Sequence, residues 1–135
     1  MQKINLNCPC QSGKAYSVCC GLYIESTLPA PTPEALMRSR YSAYTQAKID
    51  YIMRTQLSPA ADNFDATSAA IWALAAEWLG LKVKHAWSDK QNPSLGFVEF
   101  IASYKIDGKK QKIHEVSTFV LHNQHWYYVS GVTRK

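Results

Sequence analysis

Four cysteines fall within thirteen residues, as Cys8-Pro9-Cys10, eight intervening residues, then Cys19-Cys20, and no cysteine follows. A segment this short builds no core of its own, so its structure must come from cross-links. In an extended Cys-x-Cys stretch both side chains point to one side, and two sulfurs can share an ion. The turn carrying Ser12-Gly13-Lys14 then returns Cys19 and Cys20 to complete a closed four-thiolate site. Zinc is the ion expected, because it accepts tetrahedral thiolate coordination without redox demands. Four protein ligands leave no open position, so the expected role is structural. Two disulfides are the alternative, and they require an oxidising compartment. Residues Met1 to Asn7 hold no apolar run of leader length, and a bridge between adjacent Cys19 and Cys20 is strained. The expectation is a metal site in a reducing, cytoplasmic setting.

Length and charge bound the rest. The 135 residues fit one ordinary domain plus a small appendage, and 47% hydrophobic content is enough to bury a core. The most apolar run, Ala69 to Leu81, is too short to span a membrane and contains Glu77. Formal charge is +5, and one divalent ion held by four thiolates lowers it to about +3. That surplus is too small to argue for nucleic acid. Lys82, Lys84, Lys105, Lys109, Lys110, Lys112, Arg134 and Lys135 fall mainly on strand and turn positions, where a solvated face is the default.

The chain divides at Leu28-Pro29-Ala30-Pro31-Thr32-Pro33, a semi-rigid strap between residues 1–28 and 29–135. Metal removal is therefore expected to melt residues up to about Gly21 and to leave the larger part folded. Thr32 caps a first helix that opens on Pro33 and runs to about Lys48. Asp50 caps a second, through about Gln56. A third spans Ala66 to Leu79, with Ile71, Trp72, Leu74, Ala75, Trp78 and Leu79 at helical spacing and Gly80 as its C-terminal stop. From Leu81 the period changes to two. Strands are expected over Leu81 to Trp87, Gly96 to Ile106, Lys110 to Leu121 and from Trp126 onward, with turns at Asp107-Gly108 and Asn123-Gln124. Helices followed by an antiparallel sheet make an α+β fold.

Register then selects a site. With an even-length turn at Asp107-Gly108, Val98, Phe100, Ala102 and Tyr104 share a face with Ile113, Glu115, Ser117 and Phe119. A two-residue turn at Asn123-Gln124 adds Trp126, Tyr128 and Ser130. Glu115 is then a carboxylate aimed at a largely apolar surface, where it must be paired or protonated. Arg40 is the expected partner, ahead of Arg38, because it shares a helical stripe with Leu36 and Tyr44. Tyr41, Trp72, Tyr104, Trp126, Tyr128 and His85 are the candidate walls of a pocket around it. The opposite face carries Phe97, Glu99, Ile101, His114 and Val116, an apolar exterior suited to a protein partner.

The run Cys8-Pro9-Cys10-Gln11-Ser12-Gly13-Lys14-Ala15-Tyr16-Ser17-Val18-Cys19-Cys20-Gly21 resembles the SEC-C motif, the zinc-binding tail of the bacterial preprotein translocase motor. The stretch Ala35 to Tyr44, with Val98-Glu99-Phe100, His114-Glu115-Val116-Ser117, Phe119 and Trp126-Tyr127-Tyr128, is similar to the YchJ-like family across nearly the whole chain. The resemblance implies a zinc knuckle followed by a cone-shaped domain of the nuclear transport factor 2 type. In that fold three helices pack on a curved four-stranded antiparallel sheet around a pocket. It implies no activity. Gln11 stands where the motif has glycine, so it must enter the left-handed region at a cost of about 1 kcal/mol or reshape the turn.

No nucleophile elbow, phosphate loop or dinucleotide fingerprint is present. The function expected is a cytoplasmic zinc-binding accessory or interaction protein whose larger part holds a small ligand or a partner. A small enzyme using Glu115 as acid or base is the alternative, by analogy with enzymes of the cone-shaped fold. RNA or ribosome contact through the knuckle is a third reading, weakened by the sparse lysines around it.

Overall fold

The computed structural model describes residues 6–134. Residues 1–5, read above for the absence of a leader, and Lys135 lie outside the described residues. A single turn of 3-10 helix at Tyr16–Val18 and α1, Gly21–Ile24, belong to the cysteine segment. The helix α2, Pro33–Thr45, begins as its sequence dictates: the Thr32 hydroxyl accepts from the Ala35 N–H at 3.0 Å, and Pro33 occupies the first turn. The next helix, α3, spans Ile49–Arg54. It starts two residues earlier than an Asp50 cap requires, and Asp50 sits inside the first turn, where its charge suits the helix dipole.

The last helix, α4, covers Ala66–Ala75 and is capped by Asp65, which accepts from the Ser68 N–H at 3.0 Å. It stops four residues short of Leu79. Trp78, Leu79 and Gly80 belong to β1, Glu77–Ser88, where Trp78 pairs with Tyr104. Helical periodicity carries on through Trp78 because it lies seven residues after Ile71, on the same helical stripe, and pairing with a long neighbouring strand decides otherwise. Ile71 and Leu74, expected on the buried face, are 64% and 76% exposed. Trp72 of α4 meets the sheet at Trp78 and Tyr104.

The strands β1, β2 (Leu95–Ile106), β3 (Lys109–His122) and β4 (His125–Thr133) form a meander in the order β1-β2-β3-β4, each antiparallel to its neighbour. Asp107 and Gly108 both have positive φ, 51° and 77°, as a two-residue hairpin turn requires. The β2–β3 register follows from that even loop: Phe100 faces Glu115, Val98 faces Ser117 and Ala102 faces Ile113. Three register slips interrupt the ladders; one lies between Trp78 and Gly80, and the other two move residues off the faces that alternation assigns them. Between Val83 and His85 the pairing slips, so His85 and Trp87 register with Glu99 and Phe97 on the outer face. His85 therefore does not line a pocket; it stacks on Trp87 at 4.9 Å. Between Thr118 and Phe119 the third slip sets Ser130 opposite Thr118, and Gly131 takes the inner position that alternation assigns to Ser130.

The buried cluster joins Leu36, Met37 and Tyr41 of α2, Ile52 of α3, and Val98, Phe100, Ala102 and Phe119 of the sheet. Cys8, Cys10, Cys20 and Ile24 belong to the same cluster. The cysteine segment is thus packed against the main core. On the outer face Glu99 and His114 form an ion pair at 2.7 Å. That bond holds the Glu99 carboxyl below its ordinary value of 4.5. A depressed carboxyl contributes stability above its unfolded value and loses it as pH falls through the lower folded one. Acid unfolding followed by circular dichroism is expected to show this loss below about pH 4.5, and Glu99→Gln to flatten that limb.

Candidate functional site

The sulfurs of Cys8, Cys10, Cys19 and Cys20 lie within 4.8 Å of one another, and none is in a disulfide. Cys10 and Cys19 sulfurs are 3.7 Å apart. Four sulfurs at about 2.3 Å from one tetrahedral ion stand roughly 3.8 Å apart, so the donor set fits a closed thiolate metal site. Such crowded thiols cannot all ionise unaided. Contacts from Cys20 and Cys8 hold the Cys10 thiol far below its usual range, while the same contact with Cys10 pushes Cys20 up. A divalent cation removes that conflict.

The surroundings supply donors to the sulfurs. Ser12 Oγ lies 3.2 Å from Cys19 Sγ, and Ser42 Oγ of α2 lies 3.5 Å from Cys8 Sγ. Arg38 Nη1 donates to the Cys10 carbonyl at 3.0 Å and approaches its sulfur at 3.7 Å. Hydroxyl and guanidinium groups facing thiolates orient them and offset their charge. Gln11 takes the left-handed conformation, φ 62°, and its amide reaches the Leu79 carbonyl at 3.4 Å across the segment boundary. Arg54 Nη2 adds bonds to the carbonyls of Tyr23, Ile24 and Ser26. Sequence reasoning missed Arg38, Ser42 and Ser12, because no local pattern says which helix the knuckle meets.

The second feature is a cavity of about 380 Å³ between the inner sheet face, α2, α4 and the segment after α3. Its walls are aromatic, with Tyr44, Trp72 and Trp78 in mutual contact at 5.0–6.3 Å. Glu115 is the one carboxylate among its described lining residues. Oε2 of Glu115 accepts from Ser117 Oγ at 2.7 Å and from the Tyr128 hydroxyl at 3.2 Å. Burial, reinforced by the Glu115 charge, raises the Tyr128 phenol, so it remains a donor. Gly131 makes room for the carboxylate, since a Cβ there would overlap Glu115. Gly131→Ala is expected to displace Glu115 and cost about 1–3 kcal/mol in chemical denaturation, with little change in metal content.

Arg40 and Glu115 form no ion pair, contrary to the expectation from the helical stripe. Three ion pairs are seen among the described residues and neither side chain belongs to one. Arg40 donates instead to the Ile52 carbonyl at 3.0 Å, Thr55 Oγ1 at 2.8 Å and Gln56 Oε1 at 3.1 Å. The end of α3 offers fixed acceptors nearer to the guanidinium than the sheet does. Tyr128 connects the two: its ring lies 4.5 Å under the Arg40 guanidinium and its hydroxyl donates to Glu115. Arg40, Tyr41, Trp72, Glu115, Ser117 and Tyr128 line the cavity. Tyr104 stands behind the wall, against Trp72 and Trp78. Trp126 lines a different cleft, beside Leu36 and Tyr51. His114 points to the outer face toward Glu99, so it forms no dyad with Glu115. Trp78, Gln56 and Gly131 were not foreseen. A lone glycine in a strand pattern was the available signal for Gly131.

Residues 32–131 match the model of the YchJ middle NTF2-like domain, and residues 5–22 match the SEC-C motif. The chain belongs to the YchJ family. A UPF0225 protein of Chromobacterium violaceum is 40% identical over 129 residues, covering 93% of this chain and 91% of the relative. Among solved structures, a SEC-C motif containing protein from Rhodopseudomonas palustris aligns with a TM-score of 0.85 at 38% identity, over 96% of this chain and all of that one. A SEC-C motif containing protein from Psychrobacter arcticus aligns at 0.80 with 32% identity, over 100% of this chain and 86% of its own length. The YchJ-family assignment thus covers both the cysteine cluster and the cone-shaped domain, and it carries no activity with it. No described helix is long and apolar enough to cross a membrane.

Proposed function

We propose that this YchJ-family chain is a cytoplasmic, zinc-stapled accessory protein that captures a small ligand in the cone of its sheet. Zinc is favoured by the closed all-thiolate donor set. The observation that carries the binding role is the Glu115 carboxylate, hydrogen-bonded on one oxygen and set in the floor of an aromatic cavity of about 380 Å³. A half-buried carboxylate without an ion-pair partner costs stability, and a cavity in a core does too, which fits a site built to bind. A docking role toward a protein partner rests on the knuckle, where Leu6, Val18 and Leu22 are 60%, 59% and 39% exposed.

Acid–base chemistry by Glu115 has less support, because no histidine, cysteine or second carboxylate lines the cavity among the described residues. RNA contact through the knuckle has less still: Lys14 is the sole basic residue from Cys8 to Gly21. The test is native mass spectrometry on protein purified without denaturation, alongside elemental analysis. One zinc per chain and saturable quenching of tryptophan fluorescence by aromatic fragments are expected. Less than half an equivalent of zinc, or no response to any fragment at millimolar concentration, would contradict the reading.

A further inference from the structure

The chemistry of the cavity narrows what it can hold, provided that it is a ligand site as proposed above. We infer that its ligand is an uncharged molecule of one or two rings that presents a single O–H or N–H donor to Oε1 of Glu115. Size is the first argument. A dry apolar cavity of about 150 Å³ admits benzene, and this one, at about 380 Å³, has room for a second ring. The walls are the second, since Tyr44, Trp72 and Trp78 present ring faces and edges that favour a flat apolar guest.

Hydrogen bonding is the third argument. Ser117 and Tyr128 both donate to Oε2 of Glu115, and Oε1 has no hydrogen-bond partner among the described residues. Oε1 is also not sealed from solvent, because no fully buried side-chain oxygen or nitrogen among the described residues lacks a partner. A carboxylate accepts and does not donate, so the group that meets Oε1 is a donor. Charge is the fourth. Arg40 and Glu115 are the two charged residues in the described lining, and Tyr128 joins them. Their formal charges sum to zero, so a cation drawn to the carboxylate also meets the guanidinium field, and an anion drawn to the guanidinium meets the carboxylate. A neutral donor satisfies Oε1 without either repulsion.

The test uses the metal-loaded full chain and four 2-substituted naphthalenes: 2-naphthol, 2-methoxynaphthalene, 2-naphthoate and 2-naphthylmethylammonium. Calorimetry gives affinity, and the indole N–H shifts of Trp72 and Trp78 report the site. Binding of 2-naphthol is expected to be about tenfold tighter than that of each other probe. In Glu115→Gln the amide oxygen takes over the bonds from Ser117 and Tyr128 and turns its NH2 inward. The preference should then shift from 2-naphthol to the acceptor 2-acetylnaphthalene, a reversal that a packing role would not produce. Equal affinity for 2-naphthol and 2-methoxynaphthalene would overturn the donor requirement. Tightest binding by either charged probe would overturn neutrality while leaving the cavity a ligand site. Failure of all four probes to move either indole would overturn the ligand site itself. The unmutated protein alone decides among these outcomes if Glu115→Gln does not fold.

Discussion

Removing the metal is expected to unfold the whole protein, not the knuckle alone. Three of the four cysteines are 3% exposed or less and belong to the same buried cluster as Leu36, Tyr41, Ile52 and Phe119. Arg38, Ser42, Gln46 and Arg54 of the main domain bond directly to the cysteine segment. Structural zinc sites contribute roughly 10–16 kcal/mol apparent, against a typical domain stability of about 5–15 kcal/mol. Loss of the ion therefore removes the cross-link that holds the cysteine segment against α2 and leaves four crowded sulfurs that must take up protons there. Chelation should collapse the near-ultraviolet signal of the tryptophans together with the far-ultraviolet helix signal, in one transition. Cys10→Ser should reproduce the effect. Retention of the tryptophan signal after complete metal removal would show that the sheet and α2–α4 stand without the knuckle.

Arg40→Ala is expected to cost about 3 kcal/mol or more, while Glu115→Ala costs about 1–2 kcal/mol. Arg40 is 7% exposed and serves three acceptors around the end of α3, and its guanidinium lies on Tyr128. Its removal leaves Gln56 without that donor and opens a void beneath the ring. Glu115 loses only the bonds from Ser117 and Tyr128, and both hydroxyls can turn to other acceptors or to water in the cavity. Since the two side chains meet only through Tyr128, a double-mutant cycle in urea should give a coupling below about 1 kcal/mol. A coupling of 3 kcal/mol would mean that a direct ion pair forms in solution.

Local grammar carried much of this architecture. Thr32-Pro33 set the start of α2, Asp107-Gly108 set the β2–β3 turn, and an even loop placed Phe100 opposite Glu115. Those features are legible because each rests on a few adjacent residues: a cap, a pair of positive φ angles, a period of two. The errors arose where neighbours in space outvoted neighbours in sequence. Leu79 left its helix because β2 is long enough to pair back to Trp78. His85 and Ser130 changed faces because single bulges reversed the alternation, and nothing in Lys84 or Val129 announces one.

The sequence by itself determined the donor set, since four thiols at that spacing have one economical use, and it determined the α+β order and the carboxylate on the inner face. Tertiary structure decided what those parts do to one another. Arg38 and Ser42 lie on a helix that could have faced anywhere, and packing turned them toward the sulfurs. Arg40 had two electrostatic options, a carboxylate across the cavity or the carbonyl end of α3. The guanidinium settled on the nearer, fixed acceptors, because ordering one side chain against a rigid helix end costs less entropy than bridging a cavity. That choice left Oε1 of Glu115 facing the cavity.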